Sequence, residues 1–94
     1  MKSLSPNQIA LIKAIALKHG FSKVAVFGSV ARGDDSESSD VDLLVDGQGH
    51  RGFSIGAFQN DAELALERKV DVVTRASLHP AIRQIVLSEL VELS

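Results

Sequence analysis

VFGSVARGDDSESSDVDLLVD, residues 26 to 46, is the stretch on which the fold turns. An apolar, strand-like run breaks at Gly28-Ser29, passes through a charged, serine-rich loop, and meets Asp40 and Asp42 at the mouth of a second apolar run. Side chains alternate along a strand, so two aspartates two positions apart share one face. Carboxylates that close repel and persist only when solvated, protonated or neutralised by a cation. In a chain without cysteine, hard oxygen donors favour Mg²⁺ or Mn²⁺. A solvated turn at a strand entrance accounts for Asp-x-Asp taken by itself. Likewise, Gly28-Ser29 exposes backbone N–H groups and a hydroxyl that can cradle a phosphate, but an ordinary strand-to-helix turn uses the same pair. Joined by one loop, the two features form the two halves of a site for a nucleoside triphosphate and metal.

Outward from this stretch the chain alternates helices and strands. Ser5-Pro6-Asn7-Gln8 sets a hydroxyl at an N-cap, proline at the first helical position and glutamine at the third, the capping-box arrangement. Ile9, Ile12, Ile15 and Ala16 then recur on one helical face, and Gly20 after His19 supplies the left-handed C-cap. Lys23 to Phe27 reads as strand one, Ser29 to Arg32 as one helical turn, and Val41 to Val45 as strand two. Asp46 to Gly52, with three glycines, reads as a flexible turn. Ile55, Phe58, Ala62, Leu64 and Leu66 mark a middle helix, and Val70 to Thr74 is strand three. His79-Pro80 opens a last helix with Ile82, Ile85, Val86, Leu90 and Leu93 on its core-facing stripe. Leu87 and Val91 widen that helix's apolar surface beyond what a three-stranded sheet covers, which predicts a partner-binding surface for a second copy or another protein. The fold class is α/β, one domain over residues 1–94.

Composition narrows the function. The chain has 45% hydrophobic and 23% charged residues, with no Cys, Trp or Tyr, so disulfides, thiol catalysis and cysteine-ligated zinc are excluded. No apolar run approaches the roughly 20 residues of a membrane span, which makes the cytoplasm the expected location. A net charge of -2 without a Lys/Arg cluster argues against stable nucleic-acid binding. His19, His50 and His79 are scattered, without ligand spacing, and read as a helix C-terminal residue, a loop residue and a cap. A third acidic residue, Asp71, lies in the apolar run Lys69-Val70-Asp71-Val72-Val73. An isolated charge inside a buried strand costs on the order of several kcal/mol unless paired or metal-bound. If strand three lies beside strand two, Asp71 reaches the same cations; on an edge it faces water.

GSVARG, five loop residues and SDVDLLV, followed later by VDVVT, closely resemble the signature of the DNA polymerase beta-like nucleotidyltransferase superfamily in its minimal (MNT) form. The resemblance covers nearly the whole chain. It implies a nucleotidyltransferase fold, a mixed three-stranded sheet flanked by about four helices. In that fold Gly28 and Ser29 hold the triphosphate with Arg32 and Ser39, while Asp40, Asp42 and Asp71 bind two Mg²⁺ or Mn²⁺ ions and carry catalysis. Asp35 stands where such proteins often have a small apolar residue, and Glu67 where they often have glycine. MNT domains are typically the antitoxins of HEPN-domain ribonuclease toxins. The implied activity is therefore transfer of AMP from ATP to a tyrosine of such a partner by a two-metal mechanism. Two alternatives stand beside it: neutralisation by contact alone, and transfer to a small hydroxylated acceptor.

Overall fold

The computed structural model describes residues 4–34, 40–46 and 51–93, and all their side chains except those of 51–54. In chain order these form α1 (Pro6–Lys18), β1 (Lys23–Phe27), α2 (Gly28–Arg32), β2 (Val41–Asp46), α3 (Arg51–Leu66), β3 (Val70–Thr74), a 3₁₀ turn (Arg75–Ser77), α4 (Pro80–Glu89) and β4 (Val91–Glu92). The opening of α1 follows its capping box: Gln8 N–H donates to Ser5 Oγ at 3.1 Å, and Ser5 N–H donates to Gln8 Oε1 at 2.9 Å. Gly20, with φ at +86°, ends it in the left-handed conformation that glycine reaches without a Cβ penalty.

The sheet order is β3-β2-β1-β4. β1 and β2 are antiparallel, with Phe27 opposite Asp42, whereas β2 and β3 are parallel, with Asp42 opposite Asp71. A parallel pair needs a long crossover, and α3 supplies it. One sheet face carries Val24, Val26, Val41, Leu43, Val45 and Val70, buried beneath α1 and α3 against Ile12, Ala16, Phe58, Ala62 and Leu66. Phe21 and Phe58 meet in this layer with ring centroids 5.7 Å apart. The other face is thinner: Ala25 and Leu44 are buried against Leu78 and Val86, with Phe27, Val73 and Leu90 half-buried around them. By strand alternation Asp42 and Asp71 belong to this second face, where the covering layer leaves them partly open.

Several expectations are corrected. The sheet has a fourth strand among the described residues, because β1 would otherwise present an unpaired edge. The chain leaves α4 at Leu90 in an extended conformation, Val91 and Glu92 pair with Val26 and Ala25, and Leu93 N–H donates to the Val24 carbonyl at 2.9 Å. Leu93 is therefore buried from beyond the helix rather than from its stripe, and Val91 lies in the edge strand. On α4, Val86 alone is buried; Ile82 and Ile85 are 48% and 61% exposed, and Leu87 is half-buried. Leu64 of α3 is likewise exposed, since Phe58, Ala62 and Leu66 already define the buried stripe. Of the expected turn Asp46 to Gly52, Asp46 instead ends β2 and Arg51 and Gly52 open α3, while 47–50 lies outside the described residues.

The corner between α3 and β3 holds a strained residue. Glu67 adopts φ of +55°, while its N–H donates to the Glu63 carbonyl at 2.8 Å and the Glu63 carboxylate accepts from Val70 N–H at 3.0 Å. This is the position at which the sequence resemblance led one to expect glycine, and the backbone keeps the glycine-like conformation without it.

Candidate active site

β1 ends at Phe27, and the chain turns sharply at Gly28, where φ is +73°. Glycine is required twice over. The left-handed conformation disfavours a Cβ, and a Cβ built there would fall inside the contact radius of Asp42 Oδ2. The turn thus brings the backbone of Gly28 directly against the carboxylate of Asp42. Ser29, half-buried, follows in α2.

Three carboxylates gather at this end of the sheet. Asp42 and Asp71 are register partners on adjacent strands, and Asp40, half-buried just before β2, shares their alternation. Burial pushes the Asp42 carboxyl above the usual carboxylate range, and the charges of Asp71 and then Asp40 push it further; Arg32 pulls the other way. A carboxyl whose ionised form is this disfavoured gains most from a nearby cation. Asp71 is exposed on the edge strand β3 and stands beside Asp42 in the parallel register. Among the described residues no three or more acidic, histidine or cysteine side chains are grouped closely enough to hold a metal ion by themselves. The donor set nevertheless fits Mg²⁺ in kind, because that ion is held by one or two carboxylates and completes its shell with water and substrate phosphates.

Arg32, at the end of α2, donates from Nε to Asp34 Oδ2 at 3.1 Å. Its Nη1 donates to Glu89 Oε2 at 3.1 Å and to Oε1 at 3.3 Å. The Asp34 hydrogen bond first, and the Glu89 bond second, raise the pKa of the guanidinium above its usual value. Glu89 also accepts from Gly28 N–H at 3.1 Å. Sequence reasoning missed Glu89, which enters the site from the last turn of α4. Its one local signal was an acidic residue at a helix C-terminus, where the backbone carbonyls favour a base. Ser39 and Asp35 lie outside the described residues.

The histidines are elsewhere. His19 Nε2 and Asp61 Oδ2 lie 2.7 Å apart, tying the end of α1 to α3 beneath the opposite sheet face, and the His79 ring accepts from Ala81 N–H at 3.0 Å as the N-cap of α4. His50 lies outside the described residues.

A glycine turn pressed against one of three carboxylates thus lies at the end of a mixed sheet with helices on both faces. The nucleotidyltransferase domain model matches residues 10–93, and the chain belongs to that family. A candidate protein adenylyltransferase from Methanocaldococcus jannaschii is 38% identical over 79 residues, covering 83% of this chain and 85% of that protein. The solved structure of a candidate minimal nucleotidyltransferase superposes with a TM-score of 0.79 at 35% identity, covering 90% of this chain and 88% of the other. A crystal structure of a toxin–antitoxin with AMP-PNP shares the fold, with a TM-score of 0.78 at 21% identity over 97% of this chain and 73% of that one.

Proposed function

We propose that this chain is a protein adenylyltransferase that transfers AMP from ATP to a tyrosine hydroxyl of a partner HEPN-domain ribonuclease, and so acts as that toxin's antitoxin. The observation that carries the reading is the apposition of Gly28 to Asp42 and of Asp42 to Asp71, which supports a phosphate cradle and a divalent-cation site in contact. The protein adenylyltransferase description of a relative at 38% identity supports the reaction class. The toxin–antitoxin assembly of a fold neighbour supports the kind of partner.

In this mechanism the Gly28 N–H, the Ser29 hydroxyl, Arg32 and Ser39 hold the triphosphate, and Asp40, Asp42 and Asp71 hold two Mg²⁺ or Mn²⁺ ions. Bound there, the ions would lower the pKa of the acceptor hydroxyl and neutralise charge on the departing pyrophosphate. The acceptor oxygen bonds to the α-phosphorus, the bond from that phosphorus to the bridging oxygen breaks, and pyrophosphate leaves. Asp71, exposed on its edge strand, would serve as the base or the metal ligand beside the acceptor. The site opens to solvent on that side, where a protein acceptor can approach. Ile82 and Ile85 on α4 offer an apolar surface on which the toxin, or a second copy of this chain, can dock.

The test is incubation of the purified chain with ATP, Mg²⁺ and a HEPN-domain protein sought among the products of its genomic neighbours, read by mass spectrometry of that protein. One added AMP on a tyrosine is expected, lost on Asp42→Asn. Neutralisation of the toxin with no mass change, unaltered by Asp42→Asn, would instead establish the contact-only antitoxin.

A further inference from the structure

We infer that Glu89 is an internal anion occupying the phosphate cradle, which a nucleotide's polyphosphate has to displace. The inference rests on the nucleotide site proposed above and adds a residue that sets its affinity. Glu89 satisfies the two groups, at opposite ends of α2, that a phosphate oxygen would need. Gly28 N–H donates to its Oε1 at 3.1 Å in a half-buried bond, and the Arg32 guanidinium reaches both of its oxygens, at 3.3 and 3.1 Å. Its side chain is 22% exposed against 48% for Arg32, so the carboxylate is the more enclosed member of the pair.

Among the described residues, the rest of its surroundings disfavour a negative charge. Glu89 ends α4, where the free backbone carbonyls disfavour an acid, and its charge repels that of Asp42 across the cleft. The Gly28 and Arg32 bonds therefore hold it there, and a phosphate taking those donors would leave it without them. The backbone need not move for this exchange. Two residues beyond Glu89 the chain is pinned by the pairing of Val91 and Glu92 with β1, so release requires only rotation of the side chain towards solvent. A nucleotide arriving with cations brings the charge that quiets Asp40 and Asp42, whereas without cations the polyphosphate meets those aspartates and Glu89 together.

The experiment is calorimetric titration of the full-length chain, wild type and Glu89→Gln, with ATP, inorganic tripolyphosphate and adenosine, each in Mg²⁺. Removing a competing charge-assisted contact should tighten ATP and tripolyphosphate by about tenfold and leave adenosine unchanged. Glu92→Gln, which makes the same change in net charge, should leave all three unchanged. Glu89→Asp, a carboxylate one methylene shorter, should also bind ATP more tightly, and serves if the glutamine variant melts early. ATP binding that is equal or weaker in both Glu89 variants overturns the displacement and leaves the nucleotide site standing. Weaker binding would make Glu89 a positioning residue for Arg32. Absence of ATP binding in wild type and variants alike overturns the cradle together with its occupant.

Discussion

Replacing Gly28 by alanine tests the geometry on which the site depends. The new Cβ meets two penalties: φ of +73°, and the Asp42 Oδ2 atom inside contact radius. A left-handed alanine costs about 1 kcal/mol. The carboxylate is the end of a rotatable side chain, so it yields, at about 1 kcal/mol for an off-rotamer position. Alanine also restricts the unfolded chain, offsetting about 0.5 kcal/mol. The net loss is roughly 1–2 kcal/mol, a fall in Tm of about 5–15 °C for a chain of this length. Activity should suffer more, because on the proposed mechanism Asp42 would be displaced from the metal and phosphate; a loss of about 10²-fold in transfer is expected. The decisive comparison is a thermal-melt cycle with Asp42→Ala. In that background the nearest remaining Asp42 atom is Cβ, at 3.6 Å from the added methyl, an ordinary contact. Gly28→Ala should then cost about 1 kcal/mol less than in wild type. Equal costs in the two backgrounds would refute the apposition of turn and carboxylate, and a Gly28→Ala protein with wild-type melting and wild-type transfer would refute the site.

Glu67→Gly, which relieves the left-handed φ of +55°, should leave stability unchanged or raise it by up to about 1 kcal/mol in chemical denaturation, and a clear loss would show that the Glu67 side chain matters more than its backbone. Asp42 has a raised pKa, so its contribution to stability is fully present below the ordinary carboxylate value and is lost as pH rises through the folded value. Without metal, Asp42→Asn should therefore melt higher at neutral pH, by up to about 1 kcal/mol, and the gap should close in acid. Asp61, whose pKa is lowered chiefly by its His19 bond, behaves oppositely: its contribution is present above the ordinary value and lost as pH falls through the lowered one, so Asp61→Asn should flatten the acid limb of the melting profile. Ile82→Ser with Ile85→Ser should leave the melting temperature of the isolated chain nearly unchanged while weakening toxin binding in a pull-down. Val86→Ala, in the core, should cost about 1–3 kcal/mol.

Much of this molecule is written in local pattern. The first helix is fixed by a box of four residues whose side chains and backbone satisfy one another within one turn, and the structure closes both of its hydrogen bonds. The three longer strands are apolar, β-branched runs whose period-two alternation already placed Asp40 and Asp42 on one face, and a glycine at the end of one run signalled the turn. The fourth strand is two residues long and has no such pattern; it exists because β1 has an open edge within reach. The stripe of α4 failed for a related reason. Helical spacing marks which residues could face a core, but the sheet face beneath α4 is narrow and half given over to carboxylates, so Val86 is covered and Ile82 and Ile85 are not.

The pairing of Asp42 with Asp71 stands between these cases. Sequence supplied two acidic residues on apolar strands, and only the parallel register made them neighbours. Glu89 lies at the far end: 61 residues separate it from the Gly28 N–H that it accepts from, and no periodicity or motif spans that distance. The sequence by itself determined the elements, their caps and the chemistry at the Gly28 to Asp42 stretch, because those depend on interactions within a few residues. Tertiary structure alone decided the fourth strand, the exposed face of α4, and the contact of Glu89 with Gly28 and Arg32, because each depends on which surface the folded chain brings opposite another.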